Sequence, residues 1–323
     1  MLNIEQNFQK NGYCEGPIVL NEKEILNLRE LLEESFKSKG YPKAISLFDI
    51  ENKEVIKTIC KIYDSHKIKN FILNLSKNFK EKVSLVPRFV IQRNYHVDRL
   101  ESPGVGWHRD CGGELKYDYC EEKLSTSSYV FGKLGIYLQK NSLYGGSIDV
   151  IPNSHKYIKL KKFILRKITG INLFLVVRLQ KYFPKIYRFF SENFFMSILK
   201  AKRLYPEVGS FVMFDSRIVH RGSPIDDSVR ANVDFQPKEH FADVKQEYTK
   251  FSLYVDVGSQ IALDSYLHDR NQRESYFQDN NQTKIETKEI NTIKKELDLL
   301  ENYLPRLAAD MKNIFADVIR KYS

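Results

Sequence analysis

The chain has 323 residues, of which 42% are hydrophobic and 13% aromatic. This composition excludes an intrinsically disordered protein and provides enough apolar surface for one large domain with additions or for two modest domains. The formal net charge of +10 favours an anionic partner such as nucleic acid, an anionic membrane or an acidic substrate.

Two helical regions are predicted in the first 80 residues. Residues 21–38 begin with Asn21, a suitable N-cap, and their apolar residues recur at helical spacing (Ile25, Leu28, Leu31, Leu32 and Phe36). Residues 52–80 are predicted to form a second helical region.

From about residue 86 the sequence changes to short runs that are rich in Val, Ile, Phe and Tyr and are separated by turn residues. Six such runs are PRFVIQRNY, GKLGIYLQ, GGSIDVIP, GSFVMFD, RANVDFQ and KFSLYVDV. Many short strands with turn signals between them predict a β-sandwich or a β-barrel.

Residues 156–206, which we call the basic insert, interrupt this strand pattern. They hold thirteen Lys and Arg residues against a single acid, a local net charge of +12, together with seven Phe. Aromatic residues interleaved with cations are typical of a helix that lies on an anionic bilayer. Nucleic acid ranks second as a partner, because LFLVV and FFMSIL are more apolar than a phosphate-binding groove needs. Burial of the insert over the β core, as a lid, is a third interpretation.

The last 60 residues are first polar and then helical. An apolar stripe recurs at helical spacing (Ile290, Ile293, Leu297, Leu300, Leu304 and Leu307) and is expected to pack on the chain's own core. We therefore divide the chain into a domain at 1–263, which includes the basic insert, and a helical C-terminal extension at 264–323.

The segment GWHRD at 106–110 contains the first candidate metal ligands. In an extended segment His108 and Asp110 would project to the same face, because side chains alternate with a period of two. With a second, distant imidazole they would form a facial triad, which holds iron(II) and leaves coordination positions open. An HxD pair alone is a weak signal, and His96 and Asp98 form a competing pair.

The second half of the sequence supplies the partners that such a site needs. His220 follows the apolar run in GSFVMFDSRIVHRGSP, and Arg230 comes ten residues later in SVRANVDFQ. The guanidinium of an Arg can bind the far carboxylate of a dicarboxylic co-substrate through two N–H groups. This pattern favours His108 and Asp110 over the competing pair.

Together these segments resemble the phytanoyl-CoA dioxygenase-like family of 2-oxoglutarate oxygenases. The resemblance starts with NFQKNGYCEGPIVLNEKEILNLRELL at 7–32 and continues through WHRD and GGSIDVIPNSHK at 145–156. It runs on through GSFVMFDSRIVHRGSP to Arg230 and covers most of residues 7–257. The stretch between GGSIDVIPNSHK and GSFVMFD is much longer than in the family, and the C-terminal extension has no counterpart that we can place.

The resemblance implies a mainly β fold with flanking helices, built on a double-stranded β-helix, that is, a jelly-roll or cupin-like barrel. It implies that His108, Asp110 and His220 bind Fe(II), that Arg230 binds 2-oxoglutarate, and that Ser223 is a secondary candidate for the same carboxylate. The implied enzyme is a dioxygenase that uses 2-oxoglutarate and O2 to hydroxylate an unactivated C–H bond. An acid at position 110, in place of the small residue of related halogenases, favours hydroxylation.

Two other functions stay open at this stage. One is a different metal-dependent enzyme of the cupin type, against which Arg230 argues. The other is a non-catalytic, membrane-associated binding protein on the same fold, against which the complete triad argues. The substrate is open between a lipid, a membrane-linked saccharide and a small metabolite, and the sequence does not predict the oligomeric state.

Location is predicted from three negative observations. The four cysteines form no CxxC pair and are too few for a secreted disulfide scaffold. The N-terminus has no charged segment leading into an apolar one, and the apolar stretches are too short to span a membrane. We therefore expect a cytoplasmic protein, peripheral at the inner membrane face if the basic insert binds lipid.

Overall fold

A computed structural model describes residues 4–95, 107–111, 113–114, 129–141, 147–156, 182–183, 195–223, 249–277 and 285–322. The predicted co-substrate ligand Arg230 lies outside the described residues. So do His96 and Asp98 and most of the basic insert.

The β structure of the described residues consists of strands in two sheets, and all pairings between them are antiparallel. The strands are β1 (Tyr13–Ile18), β2 (Ala44–Ile45), β3 (Val83–Tyr95), β4 (His108–Arg109), β5 (Gly113–Glu114), β6 (Phe131–Tyr137), β7 (Ile148–Ile151), β8 (Lys202–Leu204), β9 (Ser210–Asp215), β10 (Val219–Gly222) and β11 (Thr249–Ser259). Five of the six predicted runs coincide with β3, β6, β7, β9 and β11. The sixth, RANVDFQ, lies outside the described residues.

The larger sheet has the strand order β1-β9-β6-β11-β3-β2, and the smaller sheet has the order β5-β4-β10-β7-β8. The two sheets pack face to face, because one buried cluster joins residues of both (Tyr13, Tyr137, Ile148, Val150, Leu204, Val212, Phe214 and Ile218). The chain passes from one sheet to the other in the short turn between β9 and β10. The predicted mainly β fold with two facing layers is confirmed.

Helices cover the outer face of the larger sheet and bury the main hydrophobic core there. These helices are α1 (Ile4–Asn11), α2 (Glu22–Ser38), α3 (Lys53–Tyr63), α4 (His66–Phe79), α6 (Gln260–Phe277), α7 (Ile285–Tyr303) and α8 (Pro305–Lys321). The short helix α5 (Phe195–Ile198) lies elsewhere, and its Met196 packs against Trp107, Ile151, Leu199 and Val219 beside the smaller sheet. The predicted N-cap is present: the Asn21 side chain accepts a hydrogen bond from the Glu24 backbone N–H at 3.0 Å, and the Glu24 carboxylate accepts one from the Asn21 N–H at 2.8 Å. The second predicted helical region is divided into α3 and α4.

The helical C-terminal extension is confirmed, and its apolar stripe packs on the same core as the sheet. Ile290, Ile293, Leu297 and Leu300 are buried. The predicted boundary at residues 263 and 264 falls inside α6, which starts directly where β11 ends. The separation into two domains stays a prediction.

The described parts of the basic insert are short. Its C-terminal end contains α5 and then β8, which pairs with β7 at the edge of the smaller sheet. After α5, Lys202–Leu204 continue the smaller sheet. Within the described part of the chain, no helix combines the length and apolar character needed to cross a membrane.

Candidate metal centre

Two neighbouring strands of the smaller sheet bring the predicted histidines together. His220 on β10 lies directly opposite His108 on β4. Side chains of opposite residues in an antiparallel pair project to the same face, and the two imidazole centroids are 4.3 Å apart. Asp110 follows the end of β4 and already belongs to a turn. Its carboxylate nevertheless reaches the same face, so the strand predicted over GWHRD is shorter than the motif.

The donor atoms of these three residues converge. Asp110 Oδ1 lies 3.7 Å from His108 Nε2 and 3.8 Å from His220 Nε2. One donor atom from each residue can be chosen so that all three lie within 4.8 Å of one another. Adjacent ligands at about 2.1 Å from one ion would be separated by about 3 Å. Shifts of less than about 1 Å would therefore let this donor set hold a divalent cation, and two imidazoles with one carboxylate suit iron(II).

The second imidazole is oriented and kept neutral by its surroundings. His220 Nδ1–H donates a hydrogen bond to the Ile218 carbonyl at 3.1 Å, which leaves Nε2 to face the Asp110 carboxylate. The Phe214 ring packs against the imidazole with centroids 4.7 Å apart. Burial, together with the nearby His108, lowers the pKa of His220 to about 3. A neutral imidazole with a free Nε2 lone pair is the form that binds metal.

The carboxylate has a cationic partner that the sequence analysis missed. Lys133 on β6 of the larger sheet places Nζ 3.0 Å from Asp110 Oδ2. Burial alone would raise the pKa of the Asp110 carboxyl, but Lys133 and the two histidines outweigh it and hold that pKa below its usual range. The Asp110 side chain is therefore ionised near neutral pH. A lone Lys inside the otherwise apolar run FGKLGIY was the signal that could have revealed it.

The residues that flank the histidines lie on the opposite side of the smaller sheet. Arg109 is fully buried and donates hydrogen bonds to the carbonyls of Ser154, at 2.8 Å, and Arg217. Arg221 pairs with Asp149 at 2.9 Å and stacks over the ring of Trp107 at 4.9 Å. These contacts hold β4 and β10 on the side of the smaller sheet opposite the histidines, as expected of side chains that alternate along a strand.

Of the two residues predicted to bind 2-oxoglutarate, Ser223 is among the described residues and Arg230 is not. The Ser223 hydroxyl donates to Asp149 Oδ1 at 2.8 Å, on the side of the sheet that carries Arg221 and away from His220. This placement does not favour contact between Ser223 and a ligand at the triad. The role of Arg230 stays a prediction, because it lies outside the described residues.

Cys111, next to Asp110, departs from the expectation of reduced thiols. It is disulfide-bonded, whereas Cys14 and Cys60 are free and buried. Disulfides are uncommon in reducing compartments. The cysteine pattern therefore does not support a cytoplasmic location as the sequence analysis supposed.

No protein-family model and no curated protein sequence matches the chain. Solved structures match it at low identity. SnoK, described as a non-heme alpha ketoglutarate dependent carbocyclase from nogalamycin biosynthesis, is 13% identical with a TM-score of 0.47, over 80% of this chain and 84% of that one. HygX from Streptomyces hygroscopicus, solved with nickel and 2-oxoglutarate, is 10% identical with a TM-score of 0.44, over 80% and 87%. EctD from S. alaskensis, solved with 2-oxoglutarate and 5-hydroxyectoine, is 10% identical with a TM-score of 0.44, over 80% and 76%.

The fold and the donor set define a class on their own geometry. Two facing antiparallel sheets present two imidazoles and one carboxylate to a single point, which is the arrangement of 2-His-1-carboxylate non-haem iron(II) oxygenases.

Proposed function

We propose that this protein is an Fe(II)- and 2-oxoglutarate-dependent dioxygenase that hydroxylates an unactivated C–H bond of an organic substrate. The observation that carries the proposal is the convergence of His108, Asp110 and His220 from β4, its following turn and β10. The three side chains are the ligands to Fe(II). Such a set of three protein ligands would leave coordination positions for a bidentate co-substrate and O2.

Charge balance around the triad supports a dianionic co-substrate. The two imidazoles are uncharged when they bind metal, and the Lys133 ammonium cancels the Asp110 carboxylate at 3.0 Å. A divalent cation then leaves two uncompensated positive charges, which 2-oxoglutarate neutralises. Arg230 binds the distal carboxylate of 2-oxoglutarate in this proposal.

The protein's own residues hold the ligands, orient the reactants and exclude water. Iron(II) with 2-oxoglutarate and O2 supplies the oxidising power, with release of CO2 and succinate. Phe214 covers one side of His220, and the apolar cluster between the sheets includes Val150, the residue paired with His220 across β7. This apolar lining keeps bulk water from the reacting centre.

The test is formation of succinate from 2-oxoglutarate by the purified protein loaded with Fe(II). We expect Asp110→Ala to abolish succinate formation and His96→Ala, a change in the competing HxD pair, to leave it intact. The reverse result would move the metal site to His96 and Asp98. Iron binding without any succinate would indicate a binding protein or another metal-dependent enzyme on the same fold.

We propose further that the basic insert attaches the protein to an anionic membrane and that the substrate is a lipid or a membrane-linked saccharide. Four described residues of the insert are large, apolar or aromatic, and between 45% and 66% exposed (Tyr182, Phe183, Ile198 and Tyr205). They accompany the local charge of +12. Each basic residue near an anionic surface contributes about 1 kcal/mol, and inserted aromatic side chains add apolar transfer energy.

Flotation with vesicles of increasing anionic lipid content tests this attachment. The test variant changes four basic residues of the insert to Glu (Lys161, Lys162, Arg166 and Lys167). A matched control makes the same change of charge at four exposed lysines on and after α4 (Lys67, Lys77, Lys80 and Lys82). We expect the insert variant alone to lose binding. Binding that ignores lipid charge and both sets of substitutions would contradict the proposal, and the insert would then be a lid over a soluble substrate's site.

A further inference from the structure

A row of buried and partly buried charges of alternating sign leads from the candidate metal centre to the C-terminal helices. Asp110 pairs with Lys133 at 3.0 Å. Lys133 lies directly opposite Asp256, on the neighbouring strand β11. Asp256 pairs with Arg88 at 2.5 Å, and Arg88 also pairs with Glu289 of α7 at 2.8 Å. The row therefore reads carboxylate, ammonium, carboxylate, guanidinium, carboxylate.

The position of Lys133 follows from strand alternation. Leu134 and Ile136 of β6 belong to the core under the helices, whereas Tyr137 belongs to the cluster between the two sheets. Lys133 lies on the same side of β6 as Tyr137, which directs its ammonium toward the smaller sheet and Asp110. The Lys133 side chain is only 25% exposed, and withdrawing an ammonium from water is costly without anionic partners. Asp110 at 3.0 Å is one such partner, and Asp256 lies directly opposite Lys133 on the neighbouring strand.

The two oxygens of the Asp110 carboxylate contact different groups. Oδ2 is held by the ammonium at 3.0 Å, while Oδ1 faces both histidine Nε2 atoms at 3.7 and 3.8 Å. We propose that Lys133 is a positioning residue that makes Asp110 a single-oxygen metal ligand. This inference rests on the proposed function, because it concerns the ligand set of the same site.

The number of oxygens that Asp110 offers decides whether the co-substrate can bind. An octahedral ion has six positions, and three protein donors leave three, which suffice for a bidentate 2-oxoglutarate and O2. If the Asp110 carboxylate turned to bind through both oxygens, one of those positions would be lost. By pairing with Asp110 Oδ2, Lys133 would keep that oxygen from binding the metal, so that the third position stays open for the co-substrate or O2. Lys133 itself contributes no ligand.

The C-terminal helices complete this arrangement. Tyr266 of α6 stacks on Phe131 at 4.4 Å, and its hydroxyl accepts a hydrogen bond from Arg88 at 3.0 Å. Glu289 of α7 holds the same guanidinium. Arg88 is thereby fixed against Asp256, which lies opposite Lys133 on the neighbouring strand. The extension thus has a role at the metal centre as well as in packing.

The experiment uses Co(II) as a spectroscopic probe in the full-length protein, in the absence and then in the presence of 2-oxoglutarate. The test variant is Lys133→Met, the conservative variant is Lys133→Arg, and the matched control is Lys140→Met, an exposed lysine just beyond the same strand. In Lys133→Met we expect Co(II) binding to be retained, because loss of an ammonium removes repulsion of a divalent cation. We expect the visible spectrum of the Co(II) form to change before any co-substrate is added, because the carboxylate can now bind through both oxygens.

Titration with 2-oxoglutarate gives the second readout. We expect its affinity to fall about 10- to 100-fold in Lys133→Met, the usual effect of removing a group that orients a metal ligand. Lys133→Arg should recover most of this loss, and Lys140→Met should match the wild type. Should Lys133→Met fail to fold, Asp256→Asn removes the opposite partner of Lys133 and should change the spectrum and the affinity in the same direction.

The outcomes separate the two proposals. Weaker 2-oxoglutarate binding with an unchanged Co(II) spectrum would mean that Lys133 touches the co-substrate directly, and would overturn the positioning role. An unchanged spectrum with unchanged affinity, or loss of Co(II) as complete as in Asp110→Ala, would overturn it too. Failure of the wild type to bind Co(II) or 2-oxoglutarate would instead reject the proposed function itself.

Discussion

Glu296 on α7 provides a test of how firmly the C-terminal extension is joined to the catalytic fold. The side chain is fully buried, and its Oε1 accepts a hydrogen bond from the Leu47 backbone N–H at 2.9 Å. It thereby caps a short 3-10 helix at Leu47–Asp49, which lies between β2 and α3. Burial raises the pKa of the Glu296 carboxyl to about 8, with the backbone N–H groups of Leu47 and Phe48 opposing and Asp49 adding to the rise. The folded protein therefore holds a proton there at neutral pH.

The sign and size of the effect follow from linkage between proton binding and folding. Between pH 4.5 and pH 8 the folded state keeps this proton while the unfolded chain releases it, so stability falls as pH rises through this window. At about 1.4 kcal/mol per pH unit, the free energy of unfolding falls by about 4–5 kcal/mol across this window. With an unfolding entropy of about 2.1 cal/mol/K per residue, this corresponds to a Tm difference of about 6–7 °C.

Glu296→Gln replaces the protonated carboxyl by a neutral amide and removes the titration. We expect thermal or denaturant unfolding curves of this variant and of the wild type to agree near pH 4.5 and to diverge above it, with the variant more stable at pH 8. Glu301→Gln, which changes an exposed Glu of the same helix, is the matched control and should follow the wild type. A constant difference between Glu296→Gln and wild type across the whole window would refute the reasoning.

Three further predictions concern the site and its support. His220→Ala should lose turnover and most of its metal, measured by elemental analysis, while circular dichroism stays that of the wild type; full metal content would contradict its role as a ligand. Arg230→Ala should raise the KM for 2-oxoglutarate by the equivalent of about 3–5 kcal/mol, and Arg230→Lys should recover only part of it; an unchanged KM would assign the carboxylate to another residue. Arg88→Met should lower the free energy of unfolding by about 3–5 kcal/mol, because it leaves the buried Asp256 and the partly buried Glu289 without the guanidinium that pairs with both. A loss below about 1 kcal/mol, the value of a surface pair, would show that these pairs are solvated.

Local sequence determined much of the framework. Short runs rich in Val, Ile, Phe and Tyr predicted five of the described strands, because β-branched and aromatic side chains favour strands and strands such as β7, β9 and β11 are buried on both faces. The capping box at Asn21 and Glu24 fixed the start of α2 through local hydrogen bonds. The candidate ligands His108, Asp110 and His220 were also selected from the sequence, since their chemical types and the resemblance to a known family point to iron. That these three lie together agrees with the prediction, while metal binding itself awaits experiment.

Only the tertiary structure decided which side chains surround those ligands. His108 and His220 are 112 positions apart in the sequence and meet through the pairing of β4 with β10. Lys133 reaches Asp110 from the other sheet, and Glu296 reaches the Leu47 backbone from the C-terminal helices. Each contact joins segments far apart in the chain, so no local pattern encodes it. Strand register determines which strand residues face the site, because a shift of one residue would turn His108, His220 and Lys133 to the opposite faces of their sheets. The packing of helix α7 on the core determines the contact of Glu296.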